Sequence, residues 1–81
     1  MTADPVRSAL AAVLDEILPG LAPSEVTDEK SLHELGADSV DRVEIVTALV
    51  HRLGVDRPVT DFADIPDIGA LVETLAEGST R

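Results

Sequence analysis

The sequence predicts an all-α fold, a small four-helix bundle of three main helices plus one short one. Three observations carry that expectation. Apolar residues recur at helical spacing, not in alternation, over residues 6–17, 43–53 and 68–75. These stretches are bounded by residue types that start or stop helices: Asp4-Pro5, Pro19-Gly20, Asp38-Ser39, Gly54 and Pro66-Asp67. Finally, the chain has 81 residues, 44% of them hydrophobic, which suits one core and a single domain. That domain spans 1–81, with order expected from about residue 5 to 77 and a tail over 78–81.

Asp4 reads as an N-cap and Pro5 as the first helical residue. Val6, Leu10, Val13, Leu14 and Ile17 then follow at helical spacing, with Ser8, Asp15 and Glu16 off the stripe. The first helix is expected over 5–18. Residues 19–38 form a long loop, of a length that is commonly functional or unstructured. Leu21, Val26, Leu32 and Leu35 are expected to pin it to the core, with a helical turn over 28–32.

The second helix is expected to begin at Asp38 or Ser39 and to end near Leu53-Gly54. At about 100° per residue, Val43, Val46, Leu49, Val50 and Leu53 share the stripe expected to face the core. Val40 falls on another face with Glu44, Thr47, Ala48 and His51, where an apolar residue next to Ser39 suits a partner contact. Arg42 lies at the edge of the core stripe in the first turn, near whatever Ser39 carries. Residues 55–59 are too short and broken for a strand. Residues 61–65 fit a short helix or turn with Phe62 and Ile65 inward. Pro66-Asp67 opens the last helix, in which Ile68, Leu71, Val72 and Leu75 form the apolar side and Glu77-Gly78 fray.

Sixteen acidic residues against 6 basic give a net charge of −10. A phosphate backbone or an anionic membrane is repelled by such a chain, and one Phe with no Trp or Tyr offers nothing for bases to stack on. No nucleic acid and no membrane are expected as partners. A partner with a basic patch would be steered in, although acidity also serves simply to keep a small domain soluble. There is no cysteine, no basic region followed by an apolar run at the N-terminus, and no apolar stretch near the roughly 18 residues of a membrane span. A cytoplasmic monomer is the expectation.

The chemistry concentrates at Leu35-Gly36-Ala37-Asp38-Ser39-Val40-Asp41-Arg42-Val43-Glu44. A hydroxyl at a helix start faces free backbone N–H groups and the positive end of the helix dipole, which also favour a phosphate esterified to it. Asp38 and Asp41 flank it with carboxylates suited to holding a metal-bound phosphate donor. The plainer alternative is that Ser39 or Asp38 is only an N-cap, with Asp41 as its capping partner. Gly36-Ala37-Asp38-Ser39-Val40 is not the G-x-S-x-G of a nucleophile elbow. His33 and His51 lack metal-ligand spacing, and Asp56, Asp61, Asp64 and Asp67 do not match a calcium loop and read as caps and solvated charge.

Leu35-Gly36-Ala37-Asp38-Ser39-Val40-Asp41 resembles the Asp-Ser-Leu signature of acyl carrier proteins. The order and length of the helices resemble that family over nearly the whole chain. The resemblance implies that Ser39 carries 4′-phosphopantetheine, installed from coenzyme A by a phosphopantetheinyl transferase using magnesium. It implies that Asp38 is the attachment serine's matched neighbour, and that Val40, Asp41 and Glu44 belong to the partner-facing start of the second helix. Arg42, Thr47 and His51 extend that expected partner face. Acyltransferases, acyl ligases and ketosynthase-type enzymes with basic docking patches are the partners it implies. The scaffold itself would be non-catalytic.

The chain departs from the fatty-acid-synthesis pattern. Val40 replaces a leucine, Thr47 replaces a larger apolar residue, and His51 and Arg52 stand in a stretch that is usually acidic. Asp-Ser-Val-Asp-Arg followed by Glu44 is similar to discrete carriers of polyketide and related natural-product pathways, including those serving β-branching. Two alternatives stay open: an aminoacyl or aryl (peptidyl-type) carrier, and an unmodified acidic helical module that only binds a protein.

Overall fold

The computed structural model describes residues 3–62 and 64–78. Three α-helices run in order: α1 (Ala3–Ile17), α2 (Ser39–Leu53) and α3 (Ile68–Gly78). Two 3-10 turns, Pro23–Glu25 and Val59–Phe62, lie in the connections, and no strand occurs among the described residues. The short helix expected over 61–65 is the single 3-10 turn Val59–Phe62, starting just after Pro58 with the Asp61 amide bonded to the Pro58 carbonyl at 3.0 Å. Ala63 and residues 79–81, including the tail, lie outside the described residues.

The ends of the helices depart from the sequence expectation in two places. Asp4 is inside α1, not its N-cap, and Pro5 sits in the first turn. Proline is tolerated there because the first four amides of a helix have no acceptor within it. Gly78 belongs to α3 and does not begin a tail. A Cβ at that position would come within 2.8 Å of Val55 Cγ1, so glycine lets the end of α3 close on the chain after α2.

α1 packs on both α2 and α3 and supplies Val6, Ala9, Leu10, Val13 and Leu14 to the core. α3 supplies Ile68, Leu71, Val72 and Leu75 as expected, and Phe62 closes one side. From the loop, Leu35 and Ala37 are buried, while Leu21, Val26 and Leu32 are partly buried against the same cluster.

The core face of α2 is corrected at one edge: Val46 and Leu49 are buried and Val50 and Leu53 partly buried, as expected, but Ile45 is a core residue and Val43 is not. Its buried residues are Ile45, Val46 and Leu49, and Val43 is 57% exposed. α2 carries valine or isoleucine on several sides, so the helical wheel alone does not say which side turns inward. Packing of α1 selects the side bearing Ile45 and Leu49, one turn apart.

The long loop is tied to both of its neighbours. Arg7 in α1 grips Asp28 with two hydrogen bonds, Nη1 to Oδ1 at 2.8 Å and Nη2 to Oδ2 at 3.1 Å. The Ile68 amide donates to the Lys30 carbonyl at 2.8 Å and the Gly69 amide to the Asp28 carbonyl at 3.0 Å. A Cβ on Gly69 would stand 3.2 Å from that of Asp28, so the small residue permits this approach.

The hydrogen bond from Arg7, helped by its charge, holds the Asp28 carboxyl below its ordinary value of 3.8, against a smaller opposing desolvation. A carboxylate depressed in the folded state adds stability above its unfolded pKa and loses it as pH falls through the folded value. Asp28→Asn is therefore expected to lower the thermal midpoint modestly at neutral pH, as for any exposed pair. The gap to wild type should close on acidification below 3.8. Paired melts across pH check this; a gap of constant size in acid would show that the carboxylate charge is not what matters.

Candidate functional site

The approach to α2 is built by local hydrogen bonds. Ser31 and Glu34 cap a turn reciprocally: the Ser31 amide donates to Glu34 Oε1 at 3.0 Å and the Glu34 amide to Ser31 Oγ at 3.1 Å. In the stretch expected to hold a helical turn, 28–32, the Lys30 amide closes a tighter turn on the Thr27 carbonyl at 3.1 Å, and a full helical turn follows over 31–35, closed by the Leu35 amide on the Ser31 carbonyl at 3.2 Å. Gly36, at φ 102°, then reverses the chain in a conformation that favours glycine. The reversal brings the Ala37 amide onto the Leu32 carbonyl at 3.0 Å and buries Ala37, so the next residues leave the core surface in a fixed direction.

Asp38 is the N-cap of α2, in extended backbone geometry. Its Oδ1 accepts from the Asp41 amide at 2.8 Å, and Asp41 Oδ2 accepts from the Asp38 amide at 3.4 Å. This capping box resolves the choice the sequence left between Asp38 and Ser39: the cap is Asp38, and losing such a cap costs about 1 kcal/mol. Ser39 is the first residue of α2 and is exposed. Its hydroxyl is therefore not needed for capping. The Ser39 and Val40 amides, at the open end of the helix, have no acceptor among the described residues.

Arg42 donates from Nη2 to Ser39 Oγ at 3.4 Å. Arg42 is exposed, not at the edge of the core. Val40 at 64% exposure and Val43 at 57% stand beside Ser39 as an apolar pair open to solvent. Glu44 and His51 are exposed on α2, Thr47 is half-buried on its flank, and Asp41 is half-buried because it belongs to the capping box. The residues named from the sequence thus gather at one end of α2, except Thr47 and His51, which lie further along it.

Sequence reading missed the groove beside this end. A cavity of about 430 Å³ begins at Ser39 and Arg42 and is walled by Leu32, Val46, Phe62 and Leu71. Its walls come from four separate elements, so no local spacing announces it. Val43 also lines it, which is why a residue placed on the core stripe by periodicity is half open. Among the described residues no group of three or more His, Cys, Asp or Glu side chains is placed to hold a metal, and no helix is long and apolar enough to cross a membrane.

A capped helix thus presents one exposed hydroxyl beside an apolar groove, on a scaffold of 81 residues, an arrangement suited to a carrier. The family model described as "phosphopantetheine attachment site" matches residues 4–75, and the chain belongs to that family. Members carry 4′-phosphopantetheine covalently, and this chain is an acyl carrier of that kind.

Among similar proteins, the polyketide biosynthesis acyl-carrier-protein AcpK of Bacillus subtilis (strain 168) is 42% identical over 60 residues, covering 74% of this chain and 73% of that protein. The 5-methylorsellinic acid synthase of Aspergillus terreus (strain NIH 2624 / FGSC A1156) is 32% identical over 74 residues, covering 91% of this chain and 3% of the synthase. The non-reducing polyketide synthase curS2 of Aspergillus terreus is 39% identical over 62 residues, 74% of this chain and 3% of the synthase. The chain therefore spans most of the first relative but only a small part of the two synthases. No solved structure matches.

Proposed function

We propose that Ser39 is the attachment point of the 4′-phosphopantetheine and that the chain delivers acyl intermediates in polyketide or related natural-product biosynthesis. The observation that supports this most is the position of Ser39: exposed, just after its helix cap, within the segment matched by the family model. The residues present fit the group. The free Ser39 and Val40 amides and the Arg42 guanidinium suit a phosphate on the hydroxyl, and the groove suits an apolar chain lying along the body. When bound, the group supplies a terminal thiol, absent from this cysteine-free chain, on which an acyl group is held as a thioester.

Each residue then has a task. Asp38 fixes the start of α2 and so the direction of the Ser39 hydroxyl. Asp41 completes the capping box. Val40 and Val43 offer an apolar contact to a docking enzyme, Glu44 offers it a charge, and Thr47 and His51 shape the face further along the helix. A phosphopantetheinyl transferase with magnesium loads the serine. Acyltransferases, acyl ligases and ketosynthase-type enzymes with basic patches use the loaded form, and the scaffold catalyses nothing itself. The same reading takes the chain as a cytoplasmic monomer, with the turn Val59–Phe62 in the place of the bundle's short fourth helix. Affinity to polyketide pathways is supported by the names of the relatives, AcpK and the two synthases.

The test is incubation of the purified chain with coenzyme A, magnesium and a broad-specificity transferase, read by intact and peptide mass spectra. One phosphopantetheine adduct on the Ser39 peptide is the expected result; an adduct elsewhere, or none with several transferases, defeats the assignment. Docking has a separate check. Glu44 is exposed and outside the capping box, whereas reversing Asp41 would also damage the helix start. Glu44→Lys is expected to slow reactions with basic-patched partners, most at low salt, where charges are least screened. Rates that are equal to wild type at every ionic strength would remove Glu44 from the interface.

A further inference from the structure

We propose that Arg42 is a positioning residue that holds the phosphate of the prosthetic group. This deepens the reading of Ser39 as the attachment point and rests on it. The Arg42 guanidinium lies 3.4 Å from the Ser39 oxygen that would become the ester oxygen. Serine and arginine three residues apart share a helix face, and long helical side chains lean back toward the N-terminus, so the contact follows from the backbone.

What makes this contact informative is what Arg42 does not do. The chain carries a net charge of −10, and Arg42 stands next to Asp41, four residues after Asp38 and two before Glu44. Yet the ion pairs among the described residues are Arg7–Asp28 and Arg52–Glu16, and none involves Arg42. The carboxylates of the first turn are turned toward the backbone: Asp38 accepts from the Asp41 amide and Asp41 from the Asp38 amide. The capping box thereby engages one oxygen of each carboxylate with the backbone, and the guanidinium is directed at position 39.

A phosphodiester on Ser39 adds negative charge beside Asp38, Asp41 and Glu44. A guanidinium answers that charge with parallel N–H donors matched to phosphate oxygens. Held this way, the first bonds of the attached arm are fixed over the mouth of the groove, which opens beside Ser39 and Arg42. The contact is exposed, so it weakens with salt. A role for Arg42 in partner docking alone would leave the phosphate unaffected.

The experiment uses the full chain loaded with coenzyme A, magnesium and a transferase, with loading read first by intact mass. The 31P resonance of the phosphodiester is then compared in wild type, Arg42→Gln and Arg42→Lys. The Arg42 Nε–H resonance is compared in 15N-labelled wild type before and after loading. Loading is expected to move the Arg42 Nε–H signal. Arg42→Gln is expected to shift the 31P line toward that of free phosphopantetheine, Arg42→Lys to shift it less, and added salt to carry the wild-type line the same way. An unmoved Nε–H signal together with coincident 31P lines for wild type and Arg42→Gln at low salt overturns the proposal. The measurement on wild type needs no variant, so poor loading of a variant does not remove the test. A wild-type mass that never gains the adduct overturns the Ser39 assignment and this inference together, and is seen before any phosphorus measurement.

Discussion

Ser39→Ala protein is expected to stay at its unmodified mass after incubation with coenzyme A, magnesium and a transferase, while wild type gains one phosphopantetheine. The loss should be complete, because no other described hydroxyl stands at the capped start of α2. Stability should hardly move. Asp38, not Ser39, caps the helix, and among the described residues the one side-chain hydrogen bond removed is that from Arg42, at 3.4 Å. Exposed substitutions of this kind stay within about 0.5 kcal/mol, and alanine favours the helix. Circular dichroism and thermal melts alongside the mass spectra separate the two effects. An adduct on the alanine protein would sink the assignment, and a collapsed fold would show that the hydroxyl has a structural role the geometry does not reveal.

The largest effect on stability is expected at Ile45. Its side chain is fully buried in the core, and truncation to alanine removes buried methyl groups and leaves a cavity, at a cost of about 2–5 kcal/mol. Domains hold roughly 0.05–0.15 kcal/mol per residue, so that loss is a large share of the total here. In a domain of this size each kcal/mol lowers the melting temperature by about 4–8 °C. Val43→Ala, at a 57% exposed site, should cost about 0.5 kcal/mol or less. Denaturant titration of both variants decides the rotation of α2 about its axis. Equal costs, or a larger cost at Val43, would mean that the helical wheel placed the core stripe correctly.

That contrast shows what the sequence could and could not convey. Both ends of α2 were legible because they depend on local chemistry: Asp38 with Asp41 three residues on, and Gly54 in the left-handed conformation at φ 65°. The four core residues of α3 were legible because only one of its sides is apolar. On α2 the apolar residues, from Ile45 round to Val40, cover more than half of the helix's circumference, so choosing between Val43 and Ile45 needed the neighbouring helix. At the site, Asp38, Ser39 and Asp41 stand out by type and spacing and Glu44 through the family resemblance, and all four lie at the same end of α2. The groove did not stand out, since Leu32, Phe62 and Leu71 meet only after the chain has folded. Nor did the Arg7–Asp28 grip, made between residues 21 positions apart.

The bonds from the loop to α3 also bear on how the domain gains its order. The first-turn amides of Ile68 and Gly69 end on the Lys30 and Asp28 carbonyls, those of Ala70 and Leu71 on Asp67, so the opening of α3 has every donor satisfied and half of them by residues nearly forty positions earlier. The first turn of α3 therefore reaches its final state only once the loop is seated, and α3 in turn adds two backbone bonds to a loop that α1 already grips through Arg7 and Asp28. The two are therefore expected to form and melt as one unit. Because that unit closes a chain segment that contains all of α2, its assembly bears a loop-closure entropy that the local helices do not.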